Sequence, residues 1–174
     1  MQTIYARAER INLAIFDVDG VLTDGSLYLT DSGDEIKAFN TLDGHGLKML
    51  RESGVELAII TGRTSRSVEL RAKNLGIDLL FQGVADKGSA FSALLKSRNL
   101  ETEAAAYMGD DVVDLPVMRR CGLALSVPNA PLLVRQHAHY VTRTGGGHGA
   151  VREACELIMH AQGKLAHALE AYLK

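Results

Sequence analysis

The 174-residue sequence has no tryptophan, and aromatic residues make up only 5% of it, too few for the stacking platforms on which proteins hold single-stranded nucleic acid. Charge of one sign is also missing. Lysine and arginine number 19 against 21 acidic residues, a formal charge of -2, so nothing draws the chain to a nucleic acid or an anionic membrane as partner. No apolar run approaches the roughly 20 residues that span a bilayer, and Met1 to Arg10 lacks the apolar centre of a secretory signal; a cytoplasmic location is expected. Cysteine occurs twice, as Cys121 and Cys155, without CxxC spacing, which excludes a disulfide framework and a thiolate zinc site and predicts two small buried residues. Hydrophobic residues at 47% against 23% charged exclude disorder, and the length fits one domain over 1–174.

Glycine is plentiful, with 17 residues, and short apolar runs recur. Leu13 to Phe16 ends at Asp17, Val55 to Ile60 at Thr61, Ala104 to Met108 at Gly109-Asp110, and Leu123 to Val127 at Pro128, with Leu79 to Phe81 shorter. Each reads as a buried parallel strand. Helical spacing fills the intervals: Val68, Ala72 and Leu75 before Gly76, then Ala90, Phe91, Leu94 and Leu95 after Lys87, then Val151, Cys155, Ile158 and Met159. A helical tail over about 150–174 closes the chain, its last amphipathic stretch carrying Leu165, Leu169 and Leu173. The alternation predicts an α/β three-layer sandwich around a central parallel sheet. One segment interrupts it. Around Asp31-Ser32-Gly33-Asp34, residues Leu27, Leu29, Ile36 and Ala38 recur at period two, predicting a β-hairpin flap over about 26–39 beside the carboxyl edge of the first strand. Gly145 to Gly149, interrupted by His148, is read as the most flexible stretch.

Three predicted strand ends bring polar groups to one sheet edge: Asp17 with Asp19, Thr61, and Asp110 with Asp111; a helix start adds Lys87. Carboxylates so concentrated call for a divalent cation, and hard oxygen donors without histidine or cysteine select magnesium. A lysine and a threonine facing that ion suit phosphate oxygens. Two aspartates at i and i+2 then divide a phosphoryl transfer, Asp17 attacking phosphorus and Asp19 protonating the leaving alkoxide before activating water.

Asp17-Val18-Asp19-Gly20, Thr61-Gly62-Arg63, Lys87 and Gly109-Asp110-Asp111-Val112-Val113-Asp114 resemble the four ordered motifs of the haloacid dehalogenase superfamily. The likeness extends over most of the chain. Asp17 to Gly25, Phe39-Asn40, Asp43-Gly44 and Gly149 to Glu153 are similar to one capless branch, the phosphatases of 3-deoxy-D-manno-octulosonate 8-phosphate (KDO 8-phosphate). The resemblance implies a Rossmann-like fold and a magnesium-dependent phosphomonoesterase that releases KDO and phosphate in lipopolysaccharide biosynthesis. It makes Asp17 nucleophile and metal ligand, Asp19 acid/base and ligand through its carbonyl, and Asp110 the third ligand, with Asp111 and Asp114 supporting them. It assigns phosphate to Thr61, Gly62 and Lys87, and the sugar-acid end to Arg63 and Arg71. A homotetramer is implied. The intervals Asp17 to Thr61 and Lys87 to Asp110 are too short for a cap domain, so a neighbouring subunit is expected to cover each site, with the hairpins forming the core of the assembly and the tail contributing.

Other readings stay open on the residues alone. A nine-carbon keto-sugar acid phosphate is the alternative substrate, although Arg63 stands where those relatives tend to have glutamate. A phospho-accepting receiver domain also uses aspartates, magnesium, threonine and lysine, but its phosphorylated aspartate ends a later strand. Asp114 is read equally as the cap of the helix carrying Leu115 and Met118. Arg63 and Arg71 also fit ordinary helix surfaces two turns apart, and His148 fits either a reach into a site or a loop before a helix.

Overall fold

The computed structural model describes residues 2–174; Met1, at the start of the expected 1–174 unit, lies outside them. After α1 (Gln2–Ala8), β1 (Leu13–Phe16) runs fully buried between two parallel neighbours, β4 (Glu56–Ile60) and β6 (Ala105–Met108). A strand covered on both faces must be apolar at every position, which is why Leu13-Ala14-Ile15-Phe16 shows no alternation. The sheet continues to β5 (Leu79–Phe81) on one side and to β7 (Leu123–Ser126) and β8 (Tyr140–Val141) on the other, in the order β5-β4-β1-β6-β7-β8, with every pairing parallel. With the hairpin left out, this is the doubly wound order in which the chain reverses direction beside its first strand. The two-residue β8 was too short to show in the periodicity.

The helices are α2 (Thr41–Glu52), α3 (Arg66–Leu75), α4 (Lys87–Arg98), α5 (Leu115–Met118), α6 (Leu132–His137), α7 (Ala150–Ala161) and α8 (Leu165–Glu170). They layer around the sheet as the three-layer expectation required, and one continuous apolar cluster from Ala8 to Met159 joins strands to helices. Gly76 stops α3 in the left-handed conformation as read from sequence, at φ 68°. Cys121 and Cys155 are buried free thiols, and burial pushes Cys121 up to about 12 and Cys155 well above the ordinary thiol value, out of the reactive range.

The hairpin is present but short. Its strands β2 (Tyr28–Leu29) and β3 (Glu35–Ile36) pair antiparallel, Tyr28 opposite Ile36 and Leu29 opposite Glu35. That register puts apolar residues on both faces, and Leu27, Tyr28, Leu29 and Ile36 are all exposed. At the other end of the chain the helical tail folds onto its own subunit: α8 packs along α7, and the Tyr172 ring meets His45 of α2 edge-on at 5.4 Å.

The glycine run corrects its sequence reading. Gly146 is buried, the Gly147 N–H donates to Val21 O at 3.0 Å, and a Cβ on Gly146 would stand 1.8 Å from the Gly20 carbonyl oxygen. These glycines let one backbone lie directly on another, so the segment is packed where composition suggested flexibility. Asp43 of α2 fixes its far end, accepting from Gly149 N at 3.2 Å and Arg152 N at 2.8 Å at the start of α7. His148 in the same loop is exposed.

Candidate active site

Register decides where the site forms. Phe16 is level with Ile59 on one side and Met108 on the other, so Asp17, Thr61 and Asp110 leave the sheet together at its carboxyl edge, at the reversal between β1 and β6. After β1 the chain makes a wide turn over Val18–Leu22 in which Gly20 takes φ 83°. A Cβ there would stand 2.0 Å from Asp110 Oδ2. Glycine is therefore required for the Asp17 turn and the Asp110 loop to meet.

A cavity of about 370 Å³ lies above this edge, lined by Asp17, Asp19, Thr61, Gly62, Arg63, Lys87, Asp110 and Asp111, with Gly25, Val84, Ala85 and Val113 completing the wall. Eight of the ten residues singled out from sequence thus share one cavity. Asp114 lies beneath it, fully buried. Its Oδ1 accepts from Lys87 Nζ at 2.7 Å and Tyr107 OH at 2.6 Å, and its Oδ2 from the backbone N–H groups of Asp110 and Asp111, both at 3.0 Å. Asp114 makes no capping bond to α5; its carboxylate points back and accepts from the loop that presents Asp110.

Arg71 requires a correction. Ser65 precedes α3, which begins at Arg66, so Arg63 is in the preceding loop and the two arginines do not share a helix face. Arg71 donates to Asn40 O at 3.0 Å and lies over the Phe39 ring, 5.8 Å from its centroid. It is not among the residues lining the cavity. Arg63 does face the cavity, paired with Glu35 Oε2 and with its Nε 3.9 Å from Asp19 Oδ2.

Lys87 opens α4, and Asp86 before it caps the helix by accepting from Ser89 N at 3.0 Å. The Lys87 ammonium lies 2.6 Å from Asp17 Oδ2 as well as 2.7 Å from Asp114 Oδ1. Burial alone would lower its pKa; the two carboxylates outweigh that and hold it above the ordinary value. The acids respond in the opposite sense to their usual behaviour in ion pairs. Burial, then the charge of Asp114, pushes Asp17 to about 6 despite Lys87, and burial, then the charges of Asp17 and Asp114, pushes Asp110 to about 7. One lysine does not neutralise the group.

Carboxylate oxygens of Asp17, Asp110 and Asp114 come within 4.8 Å of one another, with no histidine or cysteine in the group. All-oxygen donors with unrelieved negative charge fit magnesium. Asp114 already accepts four hydrogen bonds, so Asp17 and Asp110 are the side chains with oxygens to give. Metal binding must then compete with protons. At about pH 6.5, calorimetry in buffers of different ionisation enthalpy should show proton release on magnesium binding, and affinity should rise with pH through about 6 to about 7. In metal-free protein the two raised pKa values contribute stability that is full below the ordinary carboxylate value and is lost progressively as pH rises from there to about 7. The melting temperature should fall there and magnesium should restore it; a pH-independent affinity would contradict the assignment.

Clustered aspartates with a lysine and a threonine at the switch point of a doubly wound parallel sheet define a magnesium-fitted phosphoryl-transfer site. Comparison with known proteins agrees in kind. Residues 76–153 match the model of the haloacid dehalogenase-like hydrolases, and the chain is 50% identical over 165 residues to the 3-deoxy-D-manno-octulosonate 8-phosphate phosphatase KdsC of Escherichia coli (strain K12), covering 95% of this chain and 88% of that protein. The chain belongs to the haloacid dehalogenase-like hydrolase family, on the branch that holds these phosphatases. Two solved structures extend the match. The 3-deoxy-D-manno-octulosonate 8-phosphate phosphatase from Moraxella catarrhalis, in complex with magnesium, phosphate and KDO, superposes with a TM-score of 0.97 at 45% identity over 99% of both chains. A probable YrbI family phosphatase from Pseudomonas syringae superposes with a TM-score of 0.99 at 56% identity over 100% of this chain and 99% of that one.

Lys37 and Tyr107 escaped the sequence reading. Tyr107, on β6, donates from beneath to Asp114; burial, then the Asp114 charge, raises it well above the ordinary tyrosine value, so it stays a donor. Lys37 reaches the site from the hairpin and pairs with Asp19.

Proposed function

We propose that the chain is a magnesium-dependent phosphatase that hydrolyses KDO 8-phosphate to KDO and phosphate, through a phosphoryl intermediate on Asp17. The observation that carries this reading is the convergence of Asp17, Asp110 and Lys87 at the β1/β6 reversal, with Asp19 and Arg63 on the same cavity wall. The similarity to phosphatases named for that substrate, one of them solved with magnesium, phosphate and KDO, supports it.

Asp17 Oδ attacks phosphorus as the bond from phosphorus to the sugar oxygen breaks, and Asp19 gives its proton to the departing alkoxide. Asp19 then takes a proton from water, whose oxygen displaces Asp17 from phosphorus. Thr61, Gly62 and Lys87 hold the non-transferring oxygens. The carboxylates of Asp17 and Asp110 and the carbonyl of Asp19 would hold magnesium, which would supply positive charge to the phosphoryl group. Asp111 and Asp114 keep the Asp110 loop in place. Arg63 is assigned to the substrate carboxylate, for which its planar fork is suited; Arg71, turned to Asn40 and Phe39, is left out of this assignment. The receiver-type alternative is not favoured, because the aspartate beside Lys87 ends the first strand and has a second carboxylate two residues on.

The reading extends to assembly. No helix of the described residues is long and apolar enough to cross a membrane, and we place the chain in the cytoplasm as one working unit over 1–174. The exposed apolar faces of the hairpin support a homotetramer with hairpins at its centre, each site covered by a neighbour. A phosphate-release panel on a preparation whose mass is read by light scattering tests both points. Turnover of KDO 8-phosphate should exceed that of nine-carbon keto-sugar acid phosphates and hexose phosphates by at least about tenfold, the size of a modest specificity difference, and the mass should be four times that of the chain. Equal rates across the panel would defeat the substrate assignment, and a fully active monomer would defeat the assembly.

A further inference from the structure

Of the hairpin's charged residues, Asp31 and Asp34 are exposed and Glu35 is half-buried, while the Lys37 side chain is only 1% exposed. A lysine on a free hairpin edge ordinarily stays in water, where it guards the edge. Period two explains how this one is turned inward: Glu35 and Lys37 fall on the face opposite to Ile36, and Ile36 is exposed. The Lys37 ammonium contacts Asp19 Oδ1 and stands 2.8 Å from Glu35 Oε1. The other Glu35 oxygen takes Arg63, whose Nε is 3.9 Å from Asp19 Oδ2. Each oxygen of the Asp19 carboxylate therefore faces a cation carried on a different element, one on the hairpin and one in the loop after β4. Lys87 serves Asp17 and Asp114 instead.

We propose that Lys37 is a positioning residue for proton transfer by Asp19, and that the hairpin's catalytic purpose is to deliver it. Asp19 sits in a turn and its side chain is 23% exposed, so its carboxyl has room to rotate away from the leaving oxygen. The buried ammonium holds it in one orientation, with Glu35 anchoring Lys37 and Arg63 together. Orientation of a proton donor to within a fraction of an ångström is worth about a hundredfold in rate. The proposal rests on the reading of Asp19 as acid/base given above.

Leaving-group dependence tests it. An alkyl phosphate needs the proton of Asp19 as its bond to phosphorus breaks, whereas p-nitrophenyl phosphate releases a stable phenolate without one. With magnesium present, kcat/KM for Lys37→Met should fall about a hundredfold on KDO 8-phosphate and less than about fivefold on p-nitrophenyl phosphate, and Lys37→Arg should move the alkyl-to-aryl ratio back toward that of the unsubstituted chain. Equal losses on both esters, or no loss on either, would overturn the assignment of Lys37 alone. If Lys37→Met does not fold, Glu35→Gln carries the test, since it removes the anchor of the lysine: its alkyl-to-aryl ratio must fall, and an unchanged ratio overturns the proposal. An unsubstituted chain that hydrolysed neither ester would remove the phosphatase reading and this proposal with it.

Discussion

Asp17→Asn is expected to lower turnover by about four orders of magnitude or more without lowering the melting temperature. The two halves of that expectation come from the same surroundings. The amide has the size of the carboxyl and keeps an oxygen for the Val18 N–H, which donates to Asp17 Oδ1 at 2.7 Å, but it offers phosphorus no anionic nucleophile. Asp17 is also a burden in the metal-free fold, where burial and the Asp114 charge push it up to about 6. Removing its charge relieves Asp110, which the Asp17 charge helps to raise, and leaves Lys87 paired with Asp114. The metal-free variant should melt at the same temperature as the unsubstituted chain or above it, and should gain less from magnesium. Stopped-flow phosphate release and thermal melts with and without magnesium check both halves. Near-normal turnover would sink the phosphoryl-enzyme mechanism, and a large loss of stability would make the activity result uninformative about chemistry.

Much of this site was legible because its signals are local. An apolar run that stops at a polar residue marks a buried strand and its carboxyl end at once, so Asp17, Thr61 and Asp110 could be placed on one edge before their register was known. Lys87 was legible as a helix start for the same reason. Side-chain direction was not. Asp114 has the spacing of a cap, yet turns back to Lys87, Tyr107 and two backbone amides, a choice made by contacts between α4, β6 and the loop after β6. Arg63 and Arg71 lie eight residues apart, which suits one helix face only if the helix includes both, and the chain enters α3 only after Ser65. The glycine run has the composition of a linker; only the close approach of Gly146 to Gly20 shows that its lack of side chains serves packing. Lys37 left a faint trace in the alternation Glu35, Ile36, Lys37, Ala38. Its meaning depended on the hairpin folding over Asp19, eighteen residues earlier in the chain, and period two does not say which face meets the protein.

Lys87→Met is the substitution expected to damage fold and activity together. Methionine is close to lysine in length, so packing around the stem is largely kept and the change is mainly one of charge. The ammonium lies 2.6 Å from Asp17 and 2.7 Å from Asp114, both buried. Without it, the carboxylates of Asp17, Asp110 and Asp114 share one small volume with no cation of the chain's own in contact with Asp17. Breaking a buried ion pair from one side costs about 3–5 kcal/mol, which urea titration of metal-free protein should register as a lower midpoint with little change in slope. Magnesium should return part of that loss, because bound as proposed it would supply positive charge to two of the three carboxylates. Turnover should stay down by about a hundredfold to a thousandfold even when magnesium saturates, since the proposed mechanism counts the lost donor in the set that stabilises charge on the phosphoryl oxygens. A double-substitution cycle separates charge from packing. If uncompensated charge is the cause, Asp17→Asn should raise stability more in the Lys87→Met background than it does alone, because there it removes one of the stranded carboxylates. Strictly additive losses would instead assign Lys87 a packing role beneath the site and would weaken the electrostatic account of why a lysine starts α4.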